Sequence, residues 1–176
     1  VRIFLVDISA LCEAAGRQKW SNNMQRQAAF TLIELMIAVV IVGIIAAVGY
    51  PSYQSMMVST NRGTAKADLM SLAAAMERHY ATTFSYNGAA SGGGNTGAPA
   101  IYATHSPSTE SASDKKYTLT ISSVSTDGNS FELRAIPVSG TTQAGDGNLY
   151  IFSDGRKAWD KNNDGSLAAS EYCWSC

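Results

Sequence analysis

Histidine is nearly missing from this sequence, cysteine is rare, and charge of either sign is sparse. There are two histidines in 176 residues, His79 and His105. Neither stands in a recognisable nucleophile arrangement, and Glu77 forms no evident acid/base pair with another carboxylate, so no catalysis is inferred. Three cysteines are too few for a disulfide-dense miniprotein and exclude a four-cysteine zinc centre. Lysine and arginine number 13 against 14 aspartates and glutamates, a formal net charge of -1. That balance gives no electrostatic reason to expect nucleic acid as the main partner, and no aromatic-and-basic cluster supports DNA binding. A mean hydropathy of -0.04 suggests a soluble protein, but the average hides an uneven chain.

Residues 30–50 read FTLIELMIAVVIVGIIAAVGY, with 17 of 21 apolar and Glu34 the one charge. A helix rising about 1.5 Å per residue would stretch this run over roughly 30 Å, the thickness of a bilayer's hydrocarbon core. A core helix of a small domain seldom stays apolar on every face for so long, so the segment is expected to enter a membrane. Upstream lies the short basic stretch Met24-Gln-Arg-Gln-Ala-Ala29. A secretory signal places its small residues after the apolar run, whereas Ala28 and Ala29 precede it, so cleavage there would leave the helix on the mature chain. Arg26 favours the cytoplasmic side for this end.

Ala29-Phe30-Thr31-Leu32-Ile33-Glu34-Leu35, followed by an apolar run ending at Pro51, resembles the class III signal of type IV pilins. The resemblance implies a prepilin peptidase that cuts between Ala29 and Phe30 and methylates the new amino terminus. The family nearly always has Gly where this chain has Ala29. It also implies a role for Glu34, whose carboxylate would meet the amine of a neighbouring subunit during filament growth. A charge near mid-bilayer costs about 2.5–3.5 kcal/mol, which is why such residues are usually paired and functional. Residues 1–23 fit no leader pattern; Met24 is expected to be the true start, with an unusually long leader as the alternative. Cleavage after Ala29 would leave 147 residues carrying nine basic and twelve acidic side chains.

Pro51 removes a backbone donor and is expected to kink the helix. Beyond it Leu69, Leu72, Ala73, Met76 and Tyr80 recur at spacings of three and four, one apolar stripe, with Arg62, Lys66, Asp68, Glu77 and Arg78 mostly off it. Residues 85–99 hold five of the 15 glycines and read as a permissive loop. They lack the flanking strand and Lys-Ser/Thr that a phosphate cradle needs. From Tyr117 the period becomes two: 117–122, 131–135, 149–153 and 156–159 read as an antiparallel meander of about four strands, with Asp127-Gly128 and Asp154-Gly155 as turns. A helix followed by strands is an α+β order. It resembles the pilin head, and is most similar to minor pilins of the E type. The Asp-Pro-Trp-Gly stretch of major type II secretion pseudopilins is absent.

Residues 160–171 read DKNNDGSLAASE and satisfy a calcium-loop pattern. Asp160, Asn162 and Asp164 supply oxygens at alternate positions, Gly165 takes the turn, Ser166 offers its carbonyl and Glu171 closes the loop. No helix clearly precedes the loop, so a solvated Asn/Asp/Gly turn is the alternative. Related pilins close this region with a disulfide from an earlier strand. Here Cys173 occupies the later position, but no cysteine stands near Gly147, leaving a Cys173–Cys176 bond as one option and calcium as a substitute clip.

The expected protein is an α+β type IV pilin-like subunit: upstream segment and leader 1–29, membrane and polymerisation helix 30–57, head 58–176. The resemblance implies other pilins, prepilin peptidase, an inner-membrane assembly platform and the lipid bilayer as partners. It places the chain in the inner membrane with its head in the periplasm, then in an extracellular pilus serving adhesion and twitching motility. A type II secretion pseudopilin and a tip pilin that captures DNA or a surface are the alternatives.

Overall fold

The computed structural model describes residues 30–175. The expectations for Met24, Arg26, Ala29 and Cys176 therefore lie outside the described residues. One helix, α1, runs Leu32–Thr83, and Pro51 sits inside it without ending it. Packing divides the chain after Gly43. In the first unit the described residues 30–43 are all exposed, Leu32, Ile33, Leu35 and Val40 among them.

In the second unit the exposed run continues through Ile44, Ile45, Val48, Tyr50, Tyr53 and Met56. Burial begins at Ala65 and recurs at Asp68, Leu69, Leu72, Ala75 and Met76. These spacings of three and four place the buried side chains on one helix face. The apolar stripe expected from Leu69 onward is therefore present, and it starts one turn earlier.

Five strands follow: β1 His105–Ser106, β2 Tyr117–Val124, β3 Phe131–Pro137, β4 Leu149–Phe152 and β5 Lys157–Trp159. They form one sheet in sequence order, each paired antiparallel with the next. Alternation decides the core face. Tyr117, Leu119, Ile121, Phe131, Leu133, Ala135, Leu149, Ile151 and Trp159 join the helix stripe in a single cluster. Fully burying each leucine contributes about 1.5–3 kcal/mol. The four expected strands are β2 to β5. The additional β1 has two residues, too few to show a period.

Two expectations change. The glycine-rich stretch 85–99 is not loose: Ala89 and Ala90 are fully buried, and Gly97 exchanges both backbone hydrogen bonds with Ile121 at 2.9 Å. Polar helix residues also turn inward. Asp68 is 7% exposed and accepts from Tyr102 Oη at 3.1 Å, Ser106 Oγ at 2.6 Å, and Ser108 N and Oγ at 3.1 and 2.6 Å. A buried carboxylate persists only when its lone pairs are met, and these donors pin residues 102–108 to α1.

Candidate functional site

The amino-terminal end of α1 explains the position of Glu34 locally. Thr31 precedes the helix and its Oγ1 accepts from the Glu34 N–H at 3.3 Å. This is the first half of a T-x-x-E capping arrangement. Glu34 is the acid of the first turn, where the helix dipole favours negative charge. Its side chain is exposed, as are the apolar residues around it, so among the described residues no packing covers that surface. The helix is long and apolar enough to cross a membrane, by length and composition.

A second grouping was not legible as a contiguous motif. Trp159 on β5 and Trp174 near the carboxyl end are surrounded by cationic side chains. The Arg62 guanidinium lies 4.0 Å from the Trp159 ring centroid and the Lys161 ammonium 5.7 Å from it. The Lys157 ammonium stands 4.9 Å from the Trp174 ring. Lys66 reaches both rings, at 5.9 and 6.0 Å, and donates to the Trp174 carbonyl. The absence of an aromatic-and-basic cluster thus holds only along the chain; the fold assembles one from residues about 100 positions apart. Its signal was the spacing: Arg62 and Lys66 share a helix face, and Lys157 and Trp159 share a face of β5.

Buried polar groups hold this cluster in place. Arg62 Nε donates to both Asp146 oxygens at 3.0 and 2.8 Å and its Nη2 reaches Oδ1. The Tyr117 hydroxyl donates to the same carboxylate, and Gln143 Nε2 donates to that hydroxyl at 2.7 Å. The hydrogen bond to Asp146 raises the Arg62 pKa, whereas burial, then Arg62, lowers that of Lys66. Burial and Asp146 together push the Tyr117 phenol up.

The segment that lacks a cysteine is closed by backbone contact. Trp159 Nε1 donates to the Asp146 carbonyl at 2.6 Å and Asp160 N to the Asn148 carbonyl at 3.0 Å. Gly147 sits between them at φ +79°, where a Cβ would collide with the Asp160 carbonyl oxygen.

The carboxyl-terminal loop meets its own charges with main-chain donors. Asp160, fully buried, accepts from Asp164 N and Gly165 N, both at 3.1 Å. Glu171 accepts from Lys161 N at 2.9 Å, Asn162 N at 3.3 Å and Ala168 N at 3.0 Å. Asp164 accepts from Ser166 N at 2.7 Å and Asn162 Nδ2 at 2.7 Å. Among the described residues no group of three or more His, Cys, Asp or Glu side chains is placed to hold a metal. Cys173 is disulfide-bonded, with its partner outside the described residues. The two histidines pin loops: His79 Nε2 lies 2.9 Å from the Asn87 carbonyl and His105 Nε2 lies 3.0 Å from that of Glu110.

Comparison with known proteins follows this geometry. The family described as "Type IV minor pilin ComP, DNA uptake sequence receptor" matches residues 51–148, and the "Prokaryotic N-terminal methylation motif" matches residues 24–50. The type II secretion system core protein G of Pseudomonas aeruginosa is 42% identical over 65 residues, 36% of this chain and 46% of that protein. The chain thus spans less than half of that relative's length. The solved structure of the Neisseria meningitidis non-core minor pilin PilV is 19% identical, with a TM-score of 0.42, over 65% of this chain and 97% of that one. A family match over more than half of the chain, adjoining a methylation motif and an exposed apolar helix, establishes that this chain belongs to the type IV minor pilins.

Proposed function

We propose that residues 30–57 hold this minor pilin in the bacterial inner membrane, head in the periplasm, until it enters the pilus. Prepilin peptidase would cut between Ala29 and Phe30 and methylate Phe30. The assembly platform would then move the helix from lipid into a bundle of other pilins, where Glu34 meets a neighbour's amino terminus. The observation that carries this reading is the uncovered helix: every side chain from 30 to 43 is exposed, and Glu34 is its one charge. Lipid and neighbouring helices can each cover such a surface, but water cannot do so favourably. The role is structural, and no catalysis is proposed. The test is Glu34→Ala: the variant should reach the membrane yet be missing from purified filaments by mass spectrometry, while the natural chain begins at methylated Phe30. Normal incorporation of the variant would refute the role of Glu34. Recovery of the chain with secretion machinery instead of pili would favour the pseudopilin reading.

A second reading is favoured by the cluster around Trp159 and Trp174. Lys66 and Lys157 beside the half-buried Trp174 ring suit a phosphate backbone, Trp159 being buried and Arg62 paired with Asp146, and the matching family is described as a DNA uptake sequence receptor. In this reading the exposed head captures DNA. Lys66→Ala and Lys157→Ala should each weaken duplex retention and flatten its salt dependence by about one ion. Retention that neither substitution changes would remove this reading and leave assembly untouched.

A further inference from the structure

Where α1 leaves its apolar run, a notch of about 270 Å³ opens between the helix and the rest of the head, within the second unit. The helix supplies Tyr50, Tyr53, Gln54 and Asn61, and the head supplies Lys116 and Thr142. Tyr50 and Tyr53 are 65% and 62% exposed, so packing of the head uses neither ring. The head side of the notch is fixed from behind. Asn61 Nδ2 donates to Gln143 Oε1 at 3.2 Å, and the fully buried Gln143 donates through Nε2 to the Val58 carbonyl at 3.2 Å. These bonds tie the loop that carries Thr142 to α1. Lys116 N donates to the Ser106 carbonyl at 2.8 Å, and the Lys116 carbonyl accepts from Val138 N at 2.9 Å.

Depth and charge together select the ligand. Residues 30–50 fill the hydrocarbon core at about 1.5 Å per residue, and the headgroup layer adds about 5–8 Å on each side. With the helix across a bilayer, Tyr50, Tyr53 and Gln54 stand in the layer of lipid phosphates. Tyrosine suits that depth, because its ring is apolar and its hydroxyl is wet. Lys116 brings a positive charge to the same notch. Among the described residues it forms no ion pair, and the lining holds no carboxylate. A metal ion would therefore find no anionic ligand. Met57 is the one lining side chain without a polar group, so an apolar helix would strip water from the others without replacing its hydrogen bonds. An anion fits, and the anion that occupies this depth is a lipid phosphate.

We propose that this notch binds the headgroup of an anionic phospholipid, with its phosphate at the Lys116 ammonium and its glycerol beside Tyr50 and Tyr53. The inference rests on the membrane reading of residues 30–57 and adds a role for the head at the bilayer surface. One lysine near an anionic surface gives a modest preference, about fivefold over a zwitterionic lipid. The bound lipid would fix the height and rotation of the head while the subunit waits in the membrane. Transfer of the helix into a bundle exchanges lipid for other pilins, so the contact belongs to the stage before assembly.

The test reconstitutes the full chain in nanodiscs of phosphatidylcholine, alone or mixed with phosphatidylglycerol, and counts retained lipid by native mass spectrometry. The chain should enter both discs and keep phosphatidylglycerol about fivefold more often than phosphatidylcholine, after correction for their proportions. Lys116→Gln should remove the preference without changing entry, and Lys116→Arg should keep it. Lys115→Gln removes a neighbouring charge outside the lining and should also keep it. Melting of these variants at the temperature of the natural chain confirms that the fold is retained. Retention without preference, or a loss equal in Lys115→Gln and Lys116→Gln, would overturn the proposal. Displacement by soluble glycerol phosphate would overturn the choice of a lipid, and a dimer formed in place of lipid binding would assign the notch to a second copy. Failure to enter discs of phosphatidylcholine alone would refute the membrane reading itself, and this inference with it.

Discussion

Removing Arg62 tests the arrangement that holds α1 to the sheet in the head. In Arg62→Met the aliphatic stem is kept and the guanidinium is lost. Asp146, whose side chain is 2% exposed, then keeps the Tyr117 hydroxyl but has no opposing charge. Breaking a buried ion pair from one side costs about 3–5 kcal/mol, because the remaining charge is neither solvated nor paired. Arg62 retains 20% side-chain exposure, which lets water reach the gap and favours the lower part of that range. The lost contact with Trp159 adds about 0.5–1 kcal/mol. At about 3–6 °C per kcal/mol for a domain of this size, the melting temperature should fall by about 10–20 °C. Urea unfolding of the full chain in detergent, followed by tryptophan fluorescence, measures the change directly. Adding Asp146→Asn to Arg62→Met removes the stranded charge while leaving a carbonyl for Tyr117, and should recover about 2 kcal/mol. A loss below about 1 kcal/mol in the single variant, or no recovery in the double, would refute the claim that this pair is a buried tie.

Three further outcomes follow from the same head. Gly147→Ala places a methyl against the Asp160 carbonyl at positive φ, so it should lower stability by several times the ~1 kcal/mol of an ordinary Gly→Ala change at such a φ; an unchanged melt would show that 146–148 and 159–160 are not in contact. Since loop N–H groups already meet Asp160 and Glu171, a chelator should leave the melting temperature unchanged while Asp160→Ala lowers it; a calcium-dependent rise would instead assign the loop to calcium. Alkaline titration should show late tyrosines. Burial, then the hydrogen bond to Glu77, raises Tyr86 from 10.0 to about 12, and Tyr117 moves the same way. The folded state therefore holds these protons more tightly than the unfolded state. Their contribution is complete below pH 10 and is lost as pH rises through about 12, which phenolate absorbance and unfolding should report together.

Much of the architecture follows from local pattern. Period three-to-four from Leu69 to Met76 names the buried helix face, and period two in 117–122 and 131–135 names the strands, because each follows from backbone geometry alone. The two-residue β1 carries no period, and burial of Asp68 could not be read because its four donors come from residues 102–108. Glu34 was legible as the lone acid of an apolar helix, whereas its backbone hydrogen bond to Thr31 Oγ1 emerged only from the structure.

By itself, then, the sequence determined that an apolar helix would seek lipid or other helices and that a helix-plus-meander head would follow. Hydrophobic periodicity and a 21-residue apolar run act through neighbours along the chain. Only the tertiary structure decided which distant polar side chains meet. Arg62 with Asp146, and the lysines with Trp159 and Trp174, are brought together by strand register and helix docking. Such contacts depend on positions in space that no local spacing encodes.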